Sequence, residues 1–124
     1  MTLAGSKPIV LVVEDEVILR MHTVDIVQDA GFVSIEAVNA DQAIEILESR
    51  DDISLLLTDI QMPGSMDGLK LAHMAHTHWP HIKIILVSGQ IVIKDADKPR
   101  GSKFFPIELP AMSPRGPSRR FPQF

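Results

Sequence analysis

Pro8-Ile9-Val10-Leu11-Val12-Val13 is an apolar, largely β-branched run that stops abruptly on three acids, Glu14-Asp15-Glu16. Such residues favour the pleated backbone, and a strand apolar at successive positions has to be covered on both faces. The same design returns at Ile53 to Thr58, which leads into Asp59 and a Met62-Pro63-Gly64 turn. It returns again at Ile82 to Val87, which leads into Ser88-Gly89. Each run delivers a polar residue where a sheet strand would end. Open α/β sheets place their chemistry at that edge.

The stretches between these runs carry helical spacing. Val17, Met21, Val24 and Val27 recur at that spacing over residues 17–30, with Gly31 as a stop. Residues 32–38 read as a strand of more mixed character, nearer a sheet edge. Asn39 with Gln42 resembles a capping pair, and Ala40, Ala43, Ile44 and Leu47 make the next helix's buried stripe. Leu69, Ala72 and Ala75 form a weaker stripe that should stop before Trp79-Pro80, because a residue preceding proline is pushed out of the α region. Residues 91–97 allow only a short helix, and Lys103-Phe104-Phe105-Pro106 reads as a short fifth strand. Alternating strands and helices with right-handed crossovers predict a parallel sheet with helices on both faces.

A chain of 124 residues fits one domain with a real core. It has no cysteine, so disulfides, thiol catalysis and cysteine-ligated zinc are excluded. A net charge of −4 gives no general reason to expect nucleic-acid or membrane binding. No apolar run approaches membrane-spanning length, and cytoplasmic residence is expected. Residues 1–7 read as a loose leader. Residues 107–124 hold Pro110, Pro114, Pro117 and Pro122, too many for a continuous helix, together with Arg115, Arg119 and Arg120. That composition favours a disordered or loosely docked tail over a basic partner-binding arm.

Glu14 and Asp15 after the first strand, Asp59 after the third and Ser88 after the fourth converge on one edge. Clustered carboxylates there suit a hard cation such as Mg²⁺, which takes one or two carboxylates plus phosphate and water. With the metal neutralising phosphate charge, a carboxylate can act as nucleophile and form an aspartyl-phosphate. The plainer account makes the acids helix-capping loop residues that favour the macrodipole. It suits any one of them better than all of them together.

The chain resembles the receiver domains of two-component response regulators. The resemblance rests on Glu14-Asp15, on Thr58-Asp59-Ile60-Gln61-Met62-Pro63-Gly64, on Asp67-Gly68 and on Val87-Ser88-Gly89, and it covers about residues 8 to 106. It implies a flavodoxin-like doubly wound sheet of five parallel strands in the order 2-1-3-4-5, with residues 1–106 as the receiver. It implies phosphorylation of Asp59 by a phosphohistidine donor, either a sensor histidine kinase or a phosphotransfer protein. It also implies Mg²⁺ held by Asp15, Asp59 and the Gln61 main-chain carbonyl, with Glu14 acting through water. Ser88 would bond the phosphoryl group and rearrange on activation, Phe104 falls at the switch-aromatic position, and Gln61 and Gln90 occupy positions that tune hydrolysis.

Two departures stand out. The family's lysine after the fifth strand is replaced by Ile107, with Glu108 where proline usually follows. Lys103 lies four residues upstream, roughly 13 Å of strand, too far to substitute. The family's final helix is also missing, its place taken by the proline-rich tail; its loss would expose apolar surface and invite self-association or a docked segment.

His73, His76, His78 and His81 sit around the end of the third helix, but no acid lies among them and a proline interrupts them. A solvated helix end accounts for them better than a transition-metal site, and Trp79 reads as a packing anchor. The expected function is a stand-alone phosphoacceptor module signalling by protein contact to a downstream protein, with no enzymatic turnover beyond its own phosphotransfer and dephosphorylation. A degenerate receiver, binding without switching, is the alternative that Ile107 motivates. An aspartate-nucleophile phosphatase would need a second aspartate where Gln61 stands.

Overall fold

The computed structural model describes residues 7–60, 66–88 and 97–106. Along those residues run β1 (Ile9–Val13), α1 (Val17–Asp29), β2 (Val33–Ala37), α2 (Ala40–Ser49), β3 (Ile53–Asp59), α3 (Gly68–His78), β4 (Lys83–Ser88) and β5 (Lys103–Pro106). The strands make one parallel sheet in the order β2-β1-β3-β4-β5. The chain winds outward from β1 to β2 and then returns to the other side of β1 with β3. The switch point therefore lies between β1 and β3, where a crevice opens at the strands' C-terminal ends.

Alternation along the central strands explains the uninterrupted apolar runs. Leu11, Val13, Leu56, Ile84 and Leu86 join a core with α2 and α3, whose Leu47, Leu71 and Ala75 are buried there. Val10, Val12, Leu55, Leu57, Ile85 and Val87 form a second core, to which α1 contributes Val27. Both faces are covered, so neither parity can be polar.

The helix ends follow local chemistry. Asn39 Oδ1 accepts from the Gln42 amide at 2.8 Å, and Gln42 Oε1 accepts from the Val38 amide at 2.7 Å. The expected capping pair thus forms, its return bond falling one residue before the cap. Asp67 caps α3 by accepting from the Lys70 amide at 2.8 Å. Helix α1 ends in a Schellman motif: Phe32 N–H donates to Val27 O at 3.2 Å and Gly31 N–H to Gln28 O at 3.0 Å. Gly31 has φ +94°, which explains why glycine stands there.

The inward face of α1 differs from the sequence-based stripe. Val17 and Met21 are 52% and 58% exposed, while Thr23 and Val27 are buried. Thr23 can be buried because its hydroxyl donates back to Leu19 O at 2.8 Å and so is not left unpaired. The expected termini of β1, β2 and β4 move by a residue: Pro8, Phe32, Val38 and Ile82 fall outside the strands, and Ser88 falls inside. Helix α3 stops at His78, ahead of Trp79-Pro80. The expected helix of 91–97 lies, except for Asp97, outside the described residues, as do the 107–124 tail and the place of a final helix.

Candidate acidic site at the strand ends

Strands β1 and β3 run in register with Val13 opposite Thr58, so the residues just beyond them face each other across the crevice. Carboxylate oxygens of Glu14, Asp15 and Asp59 all lie within 4.8 Å of one another. Among the described residues this is the one group of three or more ligating side chains drawn together. Glu14 is buried, Asp59 half-buried and Asp15 exposed, which leaves the cluster open on one side.

The three consecutive acids divide their labour. Glu16 is the N-cap of α1, its Oε1 accepting from the amides of Ile18 at 3.0 Å and Leu19 at 3.3 Å. The helix-capping account is therefore right for Glu16, whereas Glu14 and Asp15 go to the cluster. Every polar group of Glu14 is engaged. Its amide donates to Ala37 O at 3.1 Å, its carbonyl accepts from Arg20 at 2.9 Å, and its carboxylate accepts from the Glu16 amide at 3.0 Å. Burial pushes the Glu14 carboxyl from 4.5 to about 8; the Glu16 amide opposes the rise, and the Asp59 charge adds to it.

Asp59 is set from below and from the side. The Thr58 hydroxyl donates to the Asp59 carbonyl at 3.0 Å, and the Ile60 amide donates to Val87 O at 3.0 Å. The first turn of α3 stands directly on this backbone, with Gly68 N–H donating to Ile60 O at 2.9 Å. A Cβ at Gly68 would stand 2.6 Å from the Asp59 carbonyl carbon, closer still to its oxygen, and 2.9 Å from Thr58 Oγ1. No side chain fits without moving the end of β3 or the start of α3.

Ser88 ends β4, buried, beside a strand pair in which Asp59 faces Val87. Phe104 on β5 faces Leu86 and packs half-buried against the α2/α3 core. Lys103 faces Ile85, at the opposite end of β5 from the Ser88–Pro106 pair. Gln61, Gln90 and Ile107 lie outside the described residues. The histidines do not converge on a metal-binding group among the described residues. His73 Nε2 donates to Asp97 O at 2.8 Å, and His78 tilts against Trp79 with ring centroids 5.7 Å apart. Trp79 packs against the α2/α3 core.

The pattern of strand ends did not single out Arg20, nor give Thr58 and Gly68 a structural role. Only its place one turn beyond Glu16 could have pointed to the first, since the inward face of α1 differs from the expected stripe.

Fold and site together define a doubly wound α/β protein with an acidic centre at its switch point. Residues 10–100 match the response regulator receiver domain family. The response regulator receiver protein CpdR of Brucella abortus is 36% identical over 97 residues, covering 76% of this chain and 79% of CpdR. Sensor kinase CckA of the same organism is 39% identical over 88 residues, 70% of this chain but 9% of that kinase. A putative response regulator NtrX-like protein of Rickettsia bellii is 35% identical over 88 residues; the chain spans 18% of its length. Among solved structures, a response regulator receiver protein from Sinorhizobium medicae superposes with TM-score 0.75 at 26% identity, covering 82% of each chain. A structure of histidine kinase ThkA in complex with response regulator protein TrrA matches with TM-score 0.71 at 25% identity, covering 82% of this chain and 86% of the matched one. The chain belongs to the response regulator receiver domain family of two-component signalling.

Proposed function

We propose that the chain is a phosphoacceptor receiver module, accepting a phosphoryl group on Asp59 from a phosphohistidine of a sensor kinase or phosphotransfer protein. The observation that carries this reading is the convergence of Glu14, Asp15 and Asp59 oxygens within 4.8 Å at the switch-point edge. An Asp59 carboxylate oxygen bonds to phosphorus as the phosphorus–nitrogen bond to the donor imidazole breaks, leaving an acyl phosphate on Asp59 and a free imidazole on the donor.

The donor set suits Mg²⁺: all its side-chain atoms are hard oxygens, and Glu14 is a desolvated carboxyl beside another acid, an arrangement that a divalent cation relieves. Asp15, Asp59 and the Gln61 main-chain carbonyl would hold the ion, with Glu14 acting through water. When bound, the ion offsets the negative charge that phosphoryl transfer brings to the acids. Ser88 donates its hydroxyl to a phosphoryl oxygen and with Phe104 transmits the change, while Gln61 and Gln90 set the rate of hydrolysis.

Val17, Ile18 and Met21 stand exposed beside the acidic loop and offer an apolar face to an approaching donor. Residues 1–106 form the receiver and 107–124 an atypical tail. The module catalyses no other turnover, resides in the cytoplasm, and signals by protein contact, with neither nucleic acid nor membrane as target. Ile107 at the family's lysine position favours one further reading, a receiver that accepts phosphate or Mg²⁺ without switching.

The test is incubation with a histidine kinase or a small phosphodonor and Mg²⁺. A base-labile phosphoryl group should appear and be absent in Asp59→Asn. Equal labelling of that variant would remove Asp59 from its role. A full conformational response to beryllofluoride would count against the non-switching reading.

A further inference from the structure

We infer that Arg20 is the positioning residue of the acidic site, holding the loop that presents Glu14 and Asp15; this rests on the metal-binding reading above and deepens it. Arg20 lies on α1 with its side chain 14% exposed, turned back toward the strand ends. Its fork spans two elements. Nε donates to Glu36 Oε1 on β2 at 3.0 Å, and a terminal nitrogen donates to the Glu14 main-chain carbonyl at 2.9 Å.

The second bond gives Arg20 its leverage. The Glu14 amide is already fixed to Ala37 O, so the Arg20 bond holds the other side of the same residue. Glu36 lies one residue before Ala37 on β2, and Arg20 thus ties the loop to the strand that also anchors its amide. With both main-chain groups of Glu14 held, the loop has little freedom to carry the Glu14 and Asp15 carboxylates away from Asp59. The Arg20 donor meets the Glu14 main-chain carbonyl rather than its carboxylate, so its grip is on the orientation of the loop. A lysine has one ammonium and cannot reproduce two divergent, planar donors.

A plain α1–β2 ion pair would account for the Glu36 bond but not for the carbonyl bond, and the two roles separate by mutation. Mg²⁺ is titrated into the full 124-residue chain and into Arg20→Gln, Arg20→Lys and Glu36→Gln, with affinity read from NMR amide shifts. Residues that orient metal ligands typically change affinity by about tenfold or more when removed. Arg20→Gln should weaken Mg²⁺ about tenfold, Arg20→Lys by less, and Glu36→Gln by no more than about twofold. In the metal-free chain, Arg20→Gln should also accelerate amide exchange at Glu16 while leaving Leu47 in α2 unchanged. Should Arg20→Gln fail to fold, Arg20→Lys with its own affinity and exchange carries the same comparison. Equal weakening by Glu36→Gln and Arg20→Gln, or an unaltered affinity in both Arg20 variants, overturns the inference. Failure of the unaltered chain to respond to Mg²⁺ overturns the metal-binding reading and the inference with it.

Discussion

At the ends of β1 and β3, carboxylates approach within 4.8 Å, and hydrogen bonds with Ala37, Arg20, Thr58 and Gly68 hold the main chain that carries them. At the end of β4 stands Ser88, Phe104 lies two residues before the end of β5, and the residue after Pro106 is Ile107, at the position where the receiver resemblance implies a lysine. The first region gathers the acids on which the proposed phosphoryl uptake rests. The second has the hydroxyl and the aromatic, with Ile107 at the position where the resemblance implies a lysine to bind the phosphoryl oxygens. In the proposed function acceptance and readout therefore fall to different strands, and substitutions can separate them.

The largest effect is expected at the acceptor itself: Asp59→Asn should abolish acyl-phosphate formation, measured by phosphoryl labelling, while the fold persists. Next comes Gly68→Ala, which drives a Cβ into the Asp59 carbonyl. It should cost about 2–3 kcal/mol in denaturant unfolding, as overpacked sites do, and slow phosphorylation of the folded fraction. A loss confined to stability would show that β3 absorbs the strain away from the carboxylate.

Glu14 gives a smaller effect, graded with pH. Its carboxyl is pushed up to about 8 in the folded chain, so between 4.5 and about 8 the folded state holds a proton that the unfolded state has released. Stability of the metal-free chain should fall as pH rises through that window, and Glu14→Gln should flatten the profile in urea titrations. Mg²⁺ competes with the same proton, so its affinity should rise with pH over that range and the rise should shrink in Glu14→Gln. The smallest change is expected from Ile107→Lys. It should leave the yield of Asp59 labelling unaltered yet enlarge the NMR shift changes around Ser88 and Phe104 on adding beryllofluoride. An increase in labelling instead would merge the two regions that the comparison separates.

Much of this was legible in the chain. The runs at Ile9–Val13 and Ile53–Asp59 announce strands covered on both faces, Asn39 with Gln42 announces the start of α2, and Gly31 announces the end of α1. These signals are local, since backbone periodicity and caps are set within about four residues. The carboxylate cluster was legible from strand ends and from a family pattern. The inward face of α1 was not, because Thr23 conceals its hydroxyl in a bond to Leu19 and Arg20 turns back to reach Glu14.

By itself the sequence determined the strand–helix alternation, the two-sided core and the residues offered at the sheet's C-terminal edge. Tertiary structure alone decided that Glu16 caps while Glu14 is buried, that Arg20 grips the Glu14 carbonyl, and that Gly68 rests on Asp59. The reason is distance along the chain. Residues 14, 37, 59 and 68 become neighbours only once parallel crossovers return each strand to the same edge, and no local pattern encodes the fit between them.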